Sequence, residues 1–261
     1  MMPRFEAVLF DWAGTTVDYG SRAPALVFIE IFRRRGIDIT EAEARGPMGR
    51  SKREHIAAVA EMPRVSDLWN DKYGNRPADA DVQAMYDEFL PLQKETLQKH
   101  SDVIPGIPEA VAECRRRGLK IGSTTGYTRE LMEVVAPLAA AGGYSPDTIV
   151  CSDDVLAGRP APWMNCHALE RLGVISLSSV LVVDDTPIGI VAGVNTGGTT
   201  VAVTQTGNAL GLTEAEIAEL PPGELEQRLA VIDQQFREAG ADHLVRTVAE
   251  LPELLDRLES N

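Results

Sequence analysis

The sequence predicts an α/β fold: a doubly wound, Rossmann-like parallel-sheet core with an all-helical domain inserted after its first strand. Three observations carry this. Ala7-Val8-Leu9-Phe10 and Val180-Leu181-Val182-Val183 are continuous apolar runs, the pattern of strands buried on both faces. From Val103 onward, short β-type runs alternate with helical stretches, which implies parallel strands joined through helices. Residues 21–99 carry helical periodicity and no clear strand. The division is therefore 1–20 and 100–261 for the core and 21–99 for the insert.

Taken in order, the first strand ends at Asp11 and a turn-like Trp12-Ala13-Gly14-Thr15-Thr16 follows. Ala25, Leu26, Phe28, Ile29 and Phe32 then share one helical face, with Pro24 in the first turn and a stop near Gly36. Gly46-Pro47-Met48-Gly49 is a break. Ser51-Lys52-Arg53-Glu54 has the capping-box form and opens a helix through about Glu61. Residues 65–73 and 81–100 read as further helices. In the core, a helix is expected over 109–117, a strand over 119–123, a helix over 130–141 and a strand over 148–151. A loop then runs over 152–160, with a helix over 163–172, a strand over 180–183, a helix over 188–195 and a strand over 199–203. An acid-rich helical pattern covers 211–240. Residues 244–258 read as a last short strand and a helix.

Composition narrows the function classes. The 261 residues carry 39 acids against 25 Lys and Arg, a formal net charge of −14. Nucleic acid and anionic membrane surfaces need a basic face, so neither is an expected partner. No apolar stretch has the length of a membrane span and the N-terminus does not read as a signal peptide. Cys114, Cys151 and Cys166 show no metal-binding spacing and suggest reduced thiols, hence a cytoplasmic setting.

Four segments at strand ends carry polar groups: Asp11, Ser123-Thr124-Thr125-Gly126, Arg159 and Asp184-Asp185. Each alone has an ordinary structural explanation: a helix cap, a strand-to-helix turn or a surface cation. In this order they fit phosphoryl transfer. Asp11 is a carboxylate nucleophile, and a second carboxylate shares a divalent cation, Mg²⁺ by the hardness of its oxygen ligands. Thr125, the Gly126 amide and Arg159 stabilise the equatorial oxygens.

This arrangement resembles the haloacid dehalogenase superfamily over essentially the whole chain. Its first motif falls at Asp11-Trp12-Ala13-Gly14-Thr15, its second at Thr125, its third at Arg159 and its acidic pair at Asp184-Asp185. The helical insert matches that superfamily's cap. The second acid of the first motif is replaced by Ala13, whose carbonyl can still bind metal but whose side chain cannot give a proton to a departing alkoxide.

A different nucleophile stands in the insert. Lys52, in the first turn of a helix and beside Arg50 and Arg53, is placed where an ammonium is disfavoured. A depressed pKa suits an amine to Schiff-base chemistry; a solvated Lys in a basic run explains the same residues. The longer stretches Phe10 to Tyr19, Pro47-Met48-Gly49 before Lys52, Ile121 to Thr128, and Gly158-Arg159-Pro160 followed by Pro162-Trp163-Met164 resemble the phosphonoacetaldehyde hydrolase (phosphonatase) family. The resemblance implies a small phosphonate substrate, Lys52 as Schiff-base lysine, Asp11 as phosphoryl acceptor and a homodimer. The expected metal site is Asp11, the Ala13 carbonyl, Asp185 and Asp184. Met48, Thr125, Gly126, Tyr127 and Arg159 are expected around the substrate. His55, one turn after Lys52, is expected to shuttle protons. Gly189 stands where the family pattern carries a further acid and Asp184 where it carries Gly, so Asp184 is expected to take that role. The competing readings are a capped phosphomonoester phosphatase or phosphomutase, and a non-catalytic phosphometabolite-binding protein.

Overall fold

The first apolar run forms strand β1, Ala7–Phe10, buried along its whole length. It lies near the middle of a six-stranded sheet with β2 (Lys120–Thr125), β3 (Thr148–Cys151), β4 (Val180–Asp184), β5 (Thr199–Val203) and β6 (His243–Val245). The computed structural model describes residues 5–260, so residues 1–4 and 261 of the expected core lie outside the described residues. The strand order is β3-β2-β1-β4-β5-β6 and every pairing is parallel. Chain order reverses at β1, the point where a doubly wound sheet leaves a crevice at its carboxyl ends.

Alternation along β1 divides the core. Val8 and Phe10 pack with Ile121, Val183 and Leu251 on one face, while Ala7 and Leu9 pack with Val182, Met164 and Leu169 on the other. Between β1 and β2 the chain forms α1 (Arg22–Arg34), α2 (Glu41–Arg45), α3 (Lys52–Ala60), α4 (Pro63–Tyr73) and α5 (Asp79–Leu97), with no strand among them. These helices own a separate core built on Phe28, Phe32, Ile56, Trp69 and Phe89. Phe28 and Phe32 are fully buried there.

The entry into the insert is held by Asp18, whose carboxylate accepts from the Arg22 and Ala23 amides at 3.0 Å each. The capping box at Ser51 does not form in its usual reciprocal way. The Ser51 hydroxyl donates to the Glu54 carboxylate at 2.7 Å instead of capping an amide, and α3 starts at Lys52 all the same.

The remaining helices are α6 (Ile107–Arg116), α7 (Arg129–Ala141), α8 (Trp163–Leu172), α9 (Pro187–Thr196), α10 (Glu214–Ala218), α11 (Glu224–Glu238) and α12 (Leu251–Glu259). The expected helical stretch 211–240 is two helices, because Pro221-Pro222-Gly223 interrupts it. Cys114, Cys151 and Cys166 are free, and burial pushes the thiols of the first two up to about 12. Among the described residues no helix is long and apolar enough to cross a membrane.

Candidate active site

Parallel register brings the strand ends level. Phe10 lies opposite both Ser123 and Val183, so Asp11, Thr124-Thr125 and Asp184-Asp185 emerge together at the carboxyl edge. One carboxylate oxygen from each of Asp11, Asp184 and Asp185 lies within 4.8 Å of the others. Arg159 reaches the same point from the loop before α8. Its Nη2 donates to Asp11 Oδ1 at 2.6 Å and to Thr124 Oγ1 at 3.0 Å, and lies 3.1 Å from Asp184 Oδ2.

The acids are fixed individually. Asp185 Oδ2 accepts from the Asn208 amide at 2.7 Å and its Oδ1 from the Thr15 hydroxyl at 3.3 Å. Asp184 Oδ1 accepts from the amide and hydroxyl of Thr186 at 2.9 and 2.7 Å. Three buried carboxylates thus face one guanidinium. Burial pushes the Asp11 carboxyl up to about 7, with Arg159 opposing and Asp184 adding. Asp185 is held well above the usual carboxylate range by burial and then by Asp11 and Asp184. An all-oxygen cluster short of positive charge fits a hard divalent cation, which would relieve that repulsion.

Above these acids lies a small pocket walled by both parts of the chain. Asp11, Ala13, Thr125, Gly126, Tyr127, Arg159 and Asp185 come from the core, and Met48 and Lys52 from the insert. The Thr125 hydroxyl accepts from the Tyr127 amide at 3.1 Å, which leaves its own hydrogen for a ligand.

Lys52 opens α3 and is only 5% exposed. Its Nζ lies 4.7 Å from the centre of the Tyr127 ring and 5.7 Å from that of Phe28. Its pKa is pushed down to about 8, first by burial and then by Arg159, with Asp11 opposing. The sequence pointed to Arg50 and Arg53 as the neighbours responsible. Arg53 instead turns away to Asp79 and Gln83, and what depresses the amine is the apolar wall.

His55 does not line the cavity. It is fully buried, stacked on Phe28 with ring centres 3.6 Å apart, and its Nε2 faces the Ala44 carbonyl at 2.8 Å. A carbonyl only accepts, so Nε2 carries the hydrogen. Burial and the Lys52 charge push its pKa down to about 3, so the ring is neutral at pH 7. Ser21, Pro24 and Thr186 also line the pocket, with no part in it expected from the residues alone, and so does Arg50, expected only as a charge beside Lys52. Thr186-Pro187 carried a readable signal, a helix cap followed by Pro in the first turn. Ser21 has φ 49°, a conformation its residue type does not announce.

A family model described as haloacid dehalogenase-like hydrolase matches residues 5–197. The chain is 46% identical over 259 residues to the phosphonoacetaldehyde hydrolase of Paraburkholderia xenovorans, covering 99% of this chain and 97% of that one. It is 48% identical over 257 residues to the bifunctional phosphonoacetaldehyde hydrolase/aminoethylphosphonate transaminase of Clostridioides difficile, covering 98% of this chain but only 40% of that protein. Among solved structures, a phosphonoacetaldehyde hydrolase-like protein from Oleispira antarctica superposes with a TM-score of 0.96 at 34% identity, over 99% of this chain and 94% of that one.

Proposed function

The chain belongs to the phosphonoacetaldehyde hydrolase family of the haloacid dehalogenase-like hydrolases, and from that premise we propose that it cleaves the phosphorus–carbon bond of phosphonoacetaldehyde to acetaldehyde and phosphate. The observation that carries the reading is the pairing of Lys52 and Asp11 across one buried cavity, an amine with its pKa near 8 facing a carboxylate. Breaking that bond directly would leave a carbanion beside a carbonyl. Lys52 avoids this by condensing with the aldehyde, with loss of water, to an iminium. Asp11 attacks phosphorus, the phosphorus–carbon pair moves into a carbon–carbon double bond, and the iminium nitrogen takes up the displaced pair. The leaving group is a neutral enamine, so no acid is needed where Ala13 stands. Protonation and hydrolysis of the imine return Lys52 and acetaldehyde, and water releases phosphate from Asp11.

In this reading Arg159, the Thr125 hydroxyl and the Gly126 amide hold the phosphoryl oxygens. Tyr127 and Met48 form the wall on which Lys52 is desolvated. His55 acts on Lys52 from behind, as a neutral ring packed through Phe28 against the same helix face, with the expected proton shuttle confined to its Nδ1 lone pair. Asp11, Asp184, Asp185 and the Ala13 carbonyl would hold Mg²⁺. When bound, that ion supplies positive charge that lets an anionic nucleophile approach an anionic phosphorus. The proposed cap spans 21–99 and the core 1–20 and 100–261. A homodimer in a cytoplasmic setting belongs to the same proposal on family resemblance.

The test is reduction with borohydride in the presence of phosphonoacetaldehyde, followed by peptide mapping. An adduct on Lys52 and loss of turnover in Lys52→Arg are expected. No adduct on Lys52, with Lys52→Arg fully active, would overturn the Schiff-base step.

A further inference from the structure

Gln93 is a buried carboxamide on the one helix that enters both cores. It lies in α5, between Phe89, which belongs to the core of the insert, and Leu97, which belongs to the core of the sheet. The three residues are spaced by four and share one helix face. Leu90 also packs on the sheet's core, and Lys94 pairs with Glu130 of α7 at 2.7 Å, so α5 bears on the segment that leads from β2 into α7. Gln93 has no exposed surface, and both ends of its carboxamide, Oε1 and Nε2, lack a hydrogen-bond partner among the described residues. No other side chain among those residues has two such atoms. Across the seam stands Tyr127, whose hydroxyl is likewise buried and likewise without a partner. Burial, then Asp18, Asp11 and Asp185, drive the tyrosine's pKa well above its ordinary value, and the Gln93 amide opposes them. The carboxamide therefore stands close enough to the phenol oxygen to act on it, short of a completed bond.

A buried polar atom without a partner destabilises a fold, and a leucine of similar size would remove two of them. The carboxamide therefore calls for a role other than packing. Tyr127 supplies one, because the centre of its ring lies 4.7 Å from Lys52 Nζ. The hydroxyl stands at the far end of that ring, so whatever holds the hydroxyl sets the angle of the ring face against the nitrogen. A carboxamide can meet a phenol as donor or as acceptor. We propose that Gln93 is a positioning residue for Lys52, and that a hydrogen bond from its carboxamide to the Tyr127 hydroxyl, made across the seam, holds the ring face against the amine. An aromatic face attracts a cation, so the held ring fixes the nitrogen as an ammonium and as an iminium alike. Gln93 does not line the pocket and acts only through Tyr127.

The inference rests on the reading of Lys52 as the reacting amine, so one arm of the experiment uses no substrate. In the full-length protein, trace acetic anhydride labels amines only in their neutral form, and peptide mapping across about pH 6–10 follows the titration of Lys52. Wild type is compared with Gln93→Leu, Gln93→Met, Tyr127→Phe and the double variant Gln93→Leu/Tyr127→Phe. Each single change is expected to lower the labelling midpoint of Lys52 by about half a pH unit, the scale of one cation–π contact. Turnover of phosphonoacetaldehyde is expected to fall by about 10-fold or more in kcat, the effect of a misplaced reacting group. The double variant should match the single ones within about twofold, because all of them remove the same bond. Gln93→Leu should unfold at no lower a urea midpoint than wild type. A wild-type labelling midpoint in Gln93→Leu and Gln93→Met would overturn the proposal, as would effects of Gln93→Leu and Tyr127→Phe that add in the double variant. A lower urea midpoint for Gln93→Leu would also overturn it, by showing a carboxamide kept for the fold. The labelling shift and its non-additivity, without any aldehyde adduct on Lys52, would overturn the Schiff-base reading and leave Gln93 as the residue that places the amine.

Discussion

Replacing Lys52 with Met should abolish turnover and make the protein more stable. Lys52 lies against Tyr127 and Phe28, and the apolar wall pushes its pKa from 10.5 to about 8. The unfolded chain holds the proton up to pH 10.5, whereas the folded one gives it up near pH 8. Below pH 8 the folded state carries the whole cost of a buried ammonium. The gap between the two values corresponds to about 3 kcal/mol at pH 7, because one pH unit of displacement is worth about 1.4 kcal/mol. Between pH 8 and 10.5 that cost disappears, and at pH 9.5 about 1.4 kcal/mol remains. Met has nearly the same length and no charge, so it removes the cost at every pH. Urea unfolding at pH 7 and 9.5 reads the difference as a higher midpoint for Lys52→Met, by about 1 M at pH 7 and about half that at pH 9.5. A variant less stable than wild type at pH 7, or a gain that does not shrink with rising pH, would refute the claim that burial sets the pKa of this amine.

Asp11→Asn should lower kcat by at least about 10³-fold while borohydride still traps the aldehyde on Lys52, since the imine forms before phosphorus is attacked. Loss of both together would show that Asp11 acts earlier than proposed. Arg45→Met should raise KM and the Mg²⁺ requirement more than it lowers kcat, read from steady-state kinetics at several Mg²⁺ concentrations. Arg45 donates from α2 to the Gly20 and Ser21 carbonyls and to Asn208 Oδ1, and the Asn208 amide holds Asp185; the carbonyls left unpaired should also cost about 1–3 kcal/mol of stability.

Much of this arrangement was legible because buried parallel strands leave a plain signature. Ala7–Phe10 and Val180–Val183 are apolar at every position, and each hands the chain to an acid. Topology then does what sequence cannot show directly, bringing Asp11, Arg159 and Asp185 together across 148 and more positions. What escaped the sequence has local causes. The helix at Glu41–Arg45 is too short to show a period and buries only Ala44. Asp18 and Ser21 adopt positive φ at the entry to the insert, a choice imposed by the tertiary path of the linker. His55 shares a helix face with Lys52, and spacing alone cannot separate a group that meets the cavity from one that packs behind it.

The proposed chemistry depends on a seam between two separate cores. Lys52 belongs to the helical insert and Asp11 to the sheet, and their clusters share no buried residue. The two parts therefore need a separate reason to meet closely, and two glycines supply it. A Cβ on Gly126 would lie 2.9 Å from the Arg50 carbonyl, and one on Gly49 would lie 2.5 Å from Ile188 Cγ2 and 2.8 Å from Thr186 Oγ1. Backbone from the loop before α3 thus rests directly on the turn after β2 and on the start of α9. This approach, with the Arg45–Asn208 and Lys94–Glu130 contacts across the same seam, brings a desolvated amine over the acidic cluster. If the insert lifts, Lys52 is exposed to water, its pKa returns from about 8 toward that of an ordinary lysine, and the fraction present as neutral amine at pH 7 falls by more than about 10²-fold. Under the proposed mechanism, closure and activation of the nucleophile are one event, which ties the absence of a carboxylate at Ala13 to a lysine that is most reactive when the seam is shut.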